Sequence, residues 1–343
     1  MAFRFVPGRA TRRAATGAVR ILRATAKANA AAARQTGALM RQGAQALKKD
    51  EPAHKPAGRF VEVDGVRIHY IARGKGRPVV LIHGNGTMAE DFVICGLVDQ
   101  LAKTYRVVAI DRPGFGHTER PRHWVWTAQA QARLIGHALK ALNVERPVVV
   151  GHSWGTIVSL ALAIHEVADL RGLVLLSGYY YPGRRADVRL IAPLAVPGLG
   201  DAARAMLPDA VGQMMAPQVF RHVFKPQPVP ARFTARFPVA LSLSPTQARA
   251  SAEDTASMNA AVALLQGHYP SLRLPVAILS GDADAVVDPR EQSCRLHEEV
   301  AGSTLTLLPD QGHMIHYAAN ARIVRAVHAQ MALTGRTLAW RSR

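Results

Sequence analysis

The chain has 343 residues, of which 49% are hydrophobic and 20% are charged, values typical of a soluble globular protein with a sizeable core. No apolar run reaches about 18 residues, which excludes a membrane-spanning helix, and the two cysteines are too far apart in sequence to indicate a disulfide framework. The formal net charge is +19, and residues 1–59 alone carry 13 Lys or Arg against 2 acidic residues, so the rest of the chain is only mildly basic.

Residues 1–58 are predicted to form a basic, Ala- and Arg-rich arm with a linker at its end. Lys or Arg recurs at every seventh position from Arg13 to Lys48, and this spacing favours one long, mostly helical segment. Two interpretations stay open: a solvated tail, or a helix that binds an anionic membrane or another acidic surface. A mitochondrial-type presequence shares this composition. No nucleic-acid recognition motif is visible, and the low cysteine content favours a reducing, cytoplasmic location.

Strand-like and helix-like segments alternate after the linker. Two alternating runs flank Asp64-Gly65, a dipeptide that predicts a β-hairpin. Apolar blocks such as PVVLIHG, VVVG and PVAILSG are expected strands, and helices are expected at 88–103, 126–142, 289–300 and 314–333. This order predicts an α/β protein with a mostly parallel, doubly wound sheet, built from residues 59–182 and 275–343.

The alternation stops between residues 183 and 274, a stretch rich in Ala, Pro and Met with helical periodicity. We interpret it as a helical cap inserted into the sheet domain. Side chains of this region and of its Tyr179–Tyr181 entry suggest an apolar substrate pocket, although such residues at helical spacing also form ordinary core. The residues concerned are Met214, Met215, Phe220, Phe224 and Met258.

A serine stands at the junction of a predicted strand and a predicted helix. Ser153 lies in G-H-S-W-G, with Gly151 and Gly155 two positions away on each side. A sharp strand-to-helix turn projects its corner side chain outward and brings the neighbours at these two positions close together, so they must be very small. The pattern indicates a nucleophile, which requires a base and a group that orients the base.

Five motifs in this order resemble the α/β-hydrolase family over about residues 60–330: HGNG at 83–86, DRPGFG at 111–116, GHSWG at 151–155, GDAD at 281–284 and GH at 312–313. The resemblance implies an α/β-hydrolase fold in which an acid and then a histidine follow the nucleophile. It selects Asp284 as the acid, with Asp282 in reserve and Asp288 as a helix cap. It selects His313 as the base, and His316 is expected to be structural or to lie on the surface.

The family's oxyanion site implies backbone N–H donors at Asn85 and Trp154. Asn85 and Trp154 also resemble the haloalkane dehalogenase branch of the fold, in which such side chains hold the halide. That branch and the epoxide hydrolases use an aspartate nucleophile, so Ser153 departs from them at the decisive position. His83 and His152 are expected to serve loop packing, and Asp111 to satisfy backbone donors.

The sequence therefore predicts a serine hydrolase that acts on an ester or related acyl substrate of apolar character through Ser153, His313 and Asp284. No metal and no organic cofactor is expected. The alternatives are a lactonase, a carbon–carbon bond hydrolase, a cofactor-free perhydrolase, or a binding protein of the same fold without turnover.

Overall fold

The computed structural model describes residues 54–183, 195 and 209–333, so residues 1–53 of the predicted arm lie outside the described residues. The described strands form one sheet in the order β1-β2-β4-β3-β5-β6-β7-β8. They are β1 (Arg59–Val63), β2 (Val66–Arg73), β3 (Pro78–Ile82), β4 (Arg106–Ile110), β5 (Val148–His152), β6 (Gly172–Leu176), β7 (Val276–Gly281) and β8 (Thr304–Leu308).

The sheet is mostly parallel, as predicted. Strand β1 pairs antiparallel with β2, and β2 pairs antiparallel with β4. All pairings from β4 through β3 to β8 are parallel. Asp64 and Gly65 join β1 to β2 with φ angles of 53° and 71°, which confirms the predicted hairpin.

Helices cover the sheet and form the insertion. In the sheet domain they are α1 (Ala89–Ile94), α2 (Leu97–Ala102), α3 (Ala128–Ala141), α4 (Trp154–Ile164), α9 (Arg295–Glu299), α10 (Ile315–Ala318) and α11 (Asn320–Ala332). The described part of the insertion contains α5 (Asp209–Phe224), α6 (Ala231–Arg236), α7 (Val239–Ser242) and α8 (Pro245–Leu265), and a 3-10 helix at Gln266–Ser271 follows.

Three predicted helices are less regular than expected. The helix expected at 88–103 is divided into α1 and α2 by Gly96, whose φ of 84° is left-handed. The helix expected at 314–333 is divided into α10 and α11 at Ala319, which leaves the helical region at φ −122° and ψ 29°. The helix expected at 289–300 begins as a π-helical turn over Arg290–Cys294 before α9 continues it.

The strand residues divide between two hydrophobic cores, one on each face of the sheet. In β3, Val80 and Ile82 pack with the core that includes α3, α4 and α8. Val79 and Leu81 pack with the core that includes α1, α2 and α11. Both faces are therefore covered, which explains why the strands read as continuous apolar blocks and not as alternating ones.

The apolar side chains predicted for a substrate pocket lie in different surroundings among the described residues. Met214 and Met215 are exposed, whereas Phe224 and Met258 are buried in core. Phe220 lines a cavity of about 250 Å³ within the insertion, and the described residues around that cavity do not include Ser153. Helical periodicity marks a buried face without showing which neighbour buries it, and the apolar substrate pocket stays a prediction. None of the described helices is long and apolar enough to cross a membrane.

Candidate active site

Ser153 occupies the corner between β5 and α4. Its backbone angles are φ 50° and ψ −121°, a strained conformation for a residue with a side chain. A Cβ added at Gly155 would lie 2.3 Å from the carbonyl oxygen of Ile82, and one added at Gly151 would lie 2.8 Å from that of Gly155. Both glycines are therefore required by close backbone approach, as the sequence predicts.

Three side chains from distant parts of the chain meet at this corner. His313 Nε2 lies 2.9 Å from Ser153 Oγ, and His313 Nδ1 lies 2.8 Å from Asp284 Oδ2. The imidazole of His313 and the carboxylate of Asp284 are almost completely buried, with side-chain exposures of 6% and 0%. The structure thus brings together the three residues that the sequence nominates, in a serine–imidazole–carboxylate arrangement.

Geometry separates Asp284 from the two other candidate acids. Its second oxygen, Oδ1, accepts hydrogen bonds from the backbone N–H groups of Val286 and Val287, at 2.8 and 2.9 Å, which fixes the carboxylate plane. Asp282 instead accepts from the N–H of Asp310 at 2.7 Å.

Asp288 has a third, separate role at the start of the following helix. Its Oδ1 accepts from the N–H groups of Arg290 and Glu291, as expected of a helix cap. Asp284 is therefore the carboxylate, of the three, that contacts His313.

The other histidines near the corner have structural contacts. His316 is buried and donates Nε2–H to Asp91, so it is structural and does not lie on the surface. His152 donates Nε2–H to the carbonyl oxygen of His313 at 3.1 Å. Burial, together with the nearby His316 and His313, lowers the pKa of His152 well below its usual range. A neutral His152, the last residue of β5, therefore binds the loop that contains His313.

Asp111 has the structural role that the sequence predicts. Its carboxylate accepts from the backbone N–H groups of Ala89 and His117, at 2.6 and 3.0 Å, and from His69 Nδ1–H at 2.6 Å. The turn after β4 is thereby joined to the start of α1 and to β2.

The backbone N–H groups of Asn85 and Trp154 belong to segments that meet near Ser153. Trp154 opens α4, where the first N–H groups have no intrahelical acceptor. Asn85 follows Gly84, at which an added Cβ would lie 3.1 Å from Ser153 Cβ. Within residues 54–183 and 209–333, neither N–H donates to a protein acceptor. The loop after β3 and the start of α4 thus meet at the serine.

The side-chain N–H groups of these two residues point to α8. Asn85 donates Nδ2–H to the hydroxyl of Thr255 at 2.8 Å and to the carbonyl oxygen of Ser251 at 3.1 Å. Trp154 donates its indole N–H to the carbonyl oxygen of Asp254 at 3.1 Å. Both donors are therefore used to attach the insertion to the sheet domain.

A buried ion-pair network that no sequence motif indicates lies next to the corner. Asp254 and Arg112 have fully buried side chains, and Arg112 Nη1 lies 2.5 Å from Asp254 Oδ2. Arg120 Nη2 lies 3.0 Å from Asp254 Oδ1, and Gln131 Nε2–H donates to the same oxygen. Asp254 stands 142 residues from Arg112 in a helix with no motif, so no local signal reveals the pair. In the part of the chain that the structure describes, no three His, Cys, Asp or Glu residues are placed to hold a metal ion.

The chain resembles known hydrolases over most of its length. Haloalkane dehalogenase 2 of Mycobacterium tuberculosis is 27% identical over 280 residues, which cover 78% of this chain and 93% of that protein. The 2-hydroxy-6-oxo-2,4-heptadienoate hydrolase of Pseudomonas putida is 27% identical over 282 residues, which cover 79% of this chain and 95% of that protein.

Solved structures and a family model agree on the fold. The crystal structure of an alpha/beta hydrolase fold protein from Burkholderia ambifaria has a TM-score of 0.68 at 23% identity, covering 80% of this chain and 97% of that one. The family model for the alpha/beta hydrolase fold matches residues 77–319, which is more than half of the chain. The chain therefore belongs to the α/β-hydrolase fold family of hydrolytic enzymes.

Proposed function

We propose that the protein is a serine hydrolase that cleaves an ester or related acyl substrate through an acyl-enzyme. The observation that carries this proposal is the continuous contact from Ser153 Oγ through His313 to Asp284, with distances of 2.9 and 2.8 Å. A hydroxyl is a weak nucleophile at neutral pH, and an imidazole at hydrogen-bond distance overcomes this by accepting its proton.

The reaction begins when Ser153 Oγ attacks the acyl carbon and His313 Nε2 takes the hydroxyl proton. Asp284 holds the Nδ1–H tautomer of His313 and stabilises the imidazolium that forms. His313 then gives the proton to the leaving alcohol as the acyl–oxygen bond breaks. In the second half, water attacks the acyl carbon and His313 accepts a proton from it. His313 then returns this proton to Ser153 Oγ as the acyl–Oγ bond breaks, which releases the acid and restores the Ser153 hydroxyl and the neutral imidazole.

The negative charge that develops on the acyl oxygen requires donors that are already in place. We assign this role to the backbone N–H groups of Asn85 and Trp154. Trp154 follows Ser153 in the chain, Asn85 follows Gly84, which lies close to Ser153, and neither N–H has a backbone acceptor among the hydrogen bonds of the described turns and loops. Loss of one such donor typically lowers kcat by about 10²- to 10³-fold. The partial positive charge at the start of α4 acts in the same direction.

Dehalogenation is not the activity we propose, although haloalkane dehalogenase 2 is among the relatives. A serine stands at the position of the nucleophile, where that branch of the fold uses a carboxylate to attack carbon. The side chains of Asn85 and Trp154 also donate to α8 and leave no side-chain N–H pair for a halide. Two separate features of the site therefore favour acyl chemistry.

Carbon–carbon bond hydrolysis is the second candidate, because the Pseudomonas putida dienoate hydrolase matches over 79% of this chain. A serine, a histidine and an acid are compatible with attack on a ketone carbon as well as on an ester. Lactone hydrolysis would use the same residues. A panel of p-nitrophenyl esters of increasing acyl length, lactones and a 6-oxo-dienoate separates these substrate classes. We expect the apolar esters to give the highest kcat/KM.

The test of the nucleophile is covalent labelling with a fluorophosphonate, followed by mass spectrometry of the labelled peptide. We expect stoichiometric labelling at Ser153, no labelling of the Ser153→Ala variant, and loss of ester hydrolysis in that variant. The matched control is Ser159→Ala. Ser159 lies on α4, the helix that begins directly after Ser153, and donates to the carbonyl oxygen of Gly155. Labelling at another serine, or full activity of Ser153→Ala, contradicts the proposal.

A further inference from the structure

We infer that Arg112 is a positioning residue that sets the oxyanion site, an inference that rests on the function proposed above. Arg112 does not face Ser153 directly. It binds the backbone of the loop that follows β3, and that loop contains Asn85, one of the two N–H donors assigned to the oxyanion.

The guanidinium of Arg112 holds two successive carbonyl groups of this loop. Its Nε–H donates to the carbonyl oxygen of His83 at 3.0 Å, and its Nη2–H donates to that of Gly84 at 3.1 Å. The backbone N–H of Arg112 donates to His83 Nε2 at 2.9 Å. His83 in turn donates Nδ1–H to the carbonyl oxygen of Gly84 at 2.7 Å. Arg112 is completely buried, so water does not compete for these carbonyl groups.

The carbonyl of Gly84 and the N–H of Asn85 belong to one peptide group. In a trans peptide the C=O and the N–H point in opposite directions. Two donors, Arg112 Nη2 and His83 Nδ1, hold the carbonyl oxygen, and the N–H is therefore directed to the other side. Without Arg112 this peptide loses a charged donor, and its orientation is less strictly fixed.

Asp254 fixes Arg112 from the side of the insertion. Arg112 Nη1–H donates to Asp254 Oδ2 and to Gln131 Oε1, at 2.5 and 2.9 Å. The backbone carbonyl of the same Asp254 accepts the indole N–H of Trp154. One residue of α8 thus contacts both Trp154 and the arginine that orients the peptide of Asn85. Placement of α8 and geometry of the oxyanion site are therefore linked through Arg112.

Arg120 provides a matched comparison within the same network. It is also buried and binds Asp254 Oδ1 at 3.0 Å, Glu253 at 2.8 Å and the carbonyl oxygen of Pro113 at 2.8 Å. None of its hydrogen bonds among the described residues goes to the loop at 83–85. Replacing Arg120 therefore weakens the attachment of α8 but leaves the loop at 83–85 bound to Arg112. Replacing Arg112 weakens the attachment of α8 and also removes the hydrogen bonds that hold this loop.

The experiment compares Arg112→Met and Arg112→Lys with Arg120→Met and Arg120→Lys in the full chain. The measurements are kcat and KM on a p-nitrophenyl ester, the affinity for an alkylboronic acid that forms an anionic tetrahedral adduct, and the thermal unfolding midpoint. We expect Arg112→Met to lower kcat and boronic acid affinity about 100-fold, with KM changed by less than about threefold. We expect Arg120→Met to lower the unfolding midpoint similarly but kcat by less than about fivefold.

Arg112→Lys keeps the inference testable if Arg112→Met does not fold. Lysine retains the charge that faces Asp254 but lacks the planar fork that reaches two carbonyl groups, so a decrease in kcat of at least about 10-fold is expected. Equal losses of kcat in the Arg112 and Arg120 variants, or an unchanged kcat in Arg112→Lys, overturn the positioning role. If the wild-type protein hydrolyses esters and is labelled at Ser153 while these outcomes occur, only the inference fails. A wild-type protein that does neither overturns the proposed function as well.

Discussion

Trp154 donates its indole N–H to the main-chain carbonyl of Asp254, 3.1 Å away. This bond joins the residue after Ser153 to α8, the longest described helix of the insertion. The Asn85 side chain donates to Thr255 on the same helix at 2.8 Å. Both side-chain donors therefore attach α8 to the sheet domain. A variant with a carboxylate nucleophile would lack these two donors for a leaving group.

Ser153→Asp is expected not to produce a haloalkane dehalogenase. The substitution supplies the carboxylate, but the side-chain N–H groups of Asn85 and Trp154 remain bound to α8. The departing halide therefore finds no side-chain donor from either residue. The measurement is halide release from 1-bromobutane and 1,2-dibromoethane, with Ser153→Ala as the background. Repeated turnover by Ser153→Asp above that background would show that the donors are free to leave α8.

Gly155→Ala is expected to destabilise the protein strongly. The new Cβ would lie 2.3 Å from the carbonyl oxygen of Ile82 and 2.6 Å from that of His83, and backbone atoms cannot rotate away as a side chain does. We expect a loss of at least about 2 kcal/mol in the free energy of unfolding, measured by urea denaturation. Gly267→Ala is the control, because an added Cβ there meets no atom within 4 Å. Similar stabilities of the two variants would contradict the close approach.

The sequence predicts the strands of the sheet and the corner at Ser153 because their signals are local. Apolar blocks mark the buried strands. A polar residue just after such a block lies at the carboxyl end of its strand, which is where open α/β sheets bind ligands. Asp284 and His313 lie in the loops after β7 and β8, where the resemblance to the α/β-hydrolase family selects them. The division of α1 from α2 at Gly96 also has a local signal, a glycine, which helical periodicity alone overlooks.

The contacts between the insertion and the sheet domain have no such signal. Arg112 and Asp254 are far apart in sequence, and each is a charged residue that pattern analysis assigns to a solvated surface. Their burial depends on the ion pair between them and on further partners such as Gln131, which only the assembled fold brings together. For the same reason, the sequence does not show whether Met214 and Met258 line a pocket, cover a core or remain exposed.

Asp284→Asn is expected to lower kcat by about 10³- to 10⁴-fold with little change in KM. The amide keeps the shape of the carboxylate and can still accept from Val286 and Val287, but it no longer favours the Nδ1–H tautomer of His313 or its imidazolium. Asp282→Asn is the matched control, since Asp282 accepts from the N–H of Asp310 and, among the described residues, has no hydrogen bond to an imidazole. A comparable loss in both variants would show that the acid is not Asp284 alone.

Asp254→Ala is expected to cost about 3–5 kcal/mol in the free energy of unfolding, because it leaves the buried Arg112 without its counter-ion and removes a carboxylate that also pairs with Arg120. The comparison is Asp169→Ala, which breaks an exposed pair with Arg146 and is expected to cost less than about 1 kcal/mol. Denaturant unfolding of both variants at one pH gives the two values. A small effect at Asp254 would mean that α8 separates readily from the sheet domain.

His83 is expected to make the protein less stable as the pH falls from about 6.5 to about 4. Burial and the adjacent Arg112 guanidinium lower the pKa of His83 from 6.5 to about 4, so in this window the unfolded chain binds a proton that the folded protein does not. Proton binding to the unfolded state favours unfolding, and one such group changes the free energy of unfolding by at most about 1.4 kcal/mol per pH unit. The stabilisation is complete above pH 6.5 and is lost as the pH approaches 4.

The measurement is urea unfolding of the wild type and of His83→Gln at several pH values between 7 and 4.5. His83→Gln loses hydrogen bonds to Gly84 and Arg112 and is expected to be less stable at pH 7. Its stability should nevertheless depend less steeply on pH, with a slope lower by up to about 1.4 kcal/mol per pH unit. His152, whose pKa is also lowered by burial, is present in both proteins and so cancels from the difference. If the free energy of unfolding depends on pH equally in the two proteins, His83 binds its proton equally well in the folded and unfolded states. That outcome would contradict the prediction, because His83 Nε2 accepts the N–H of Arg112 in the folded protein.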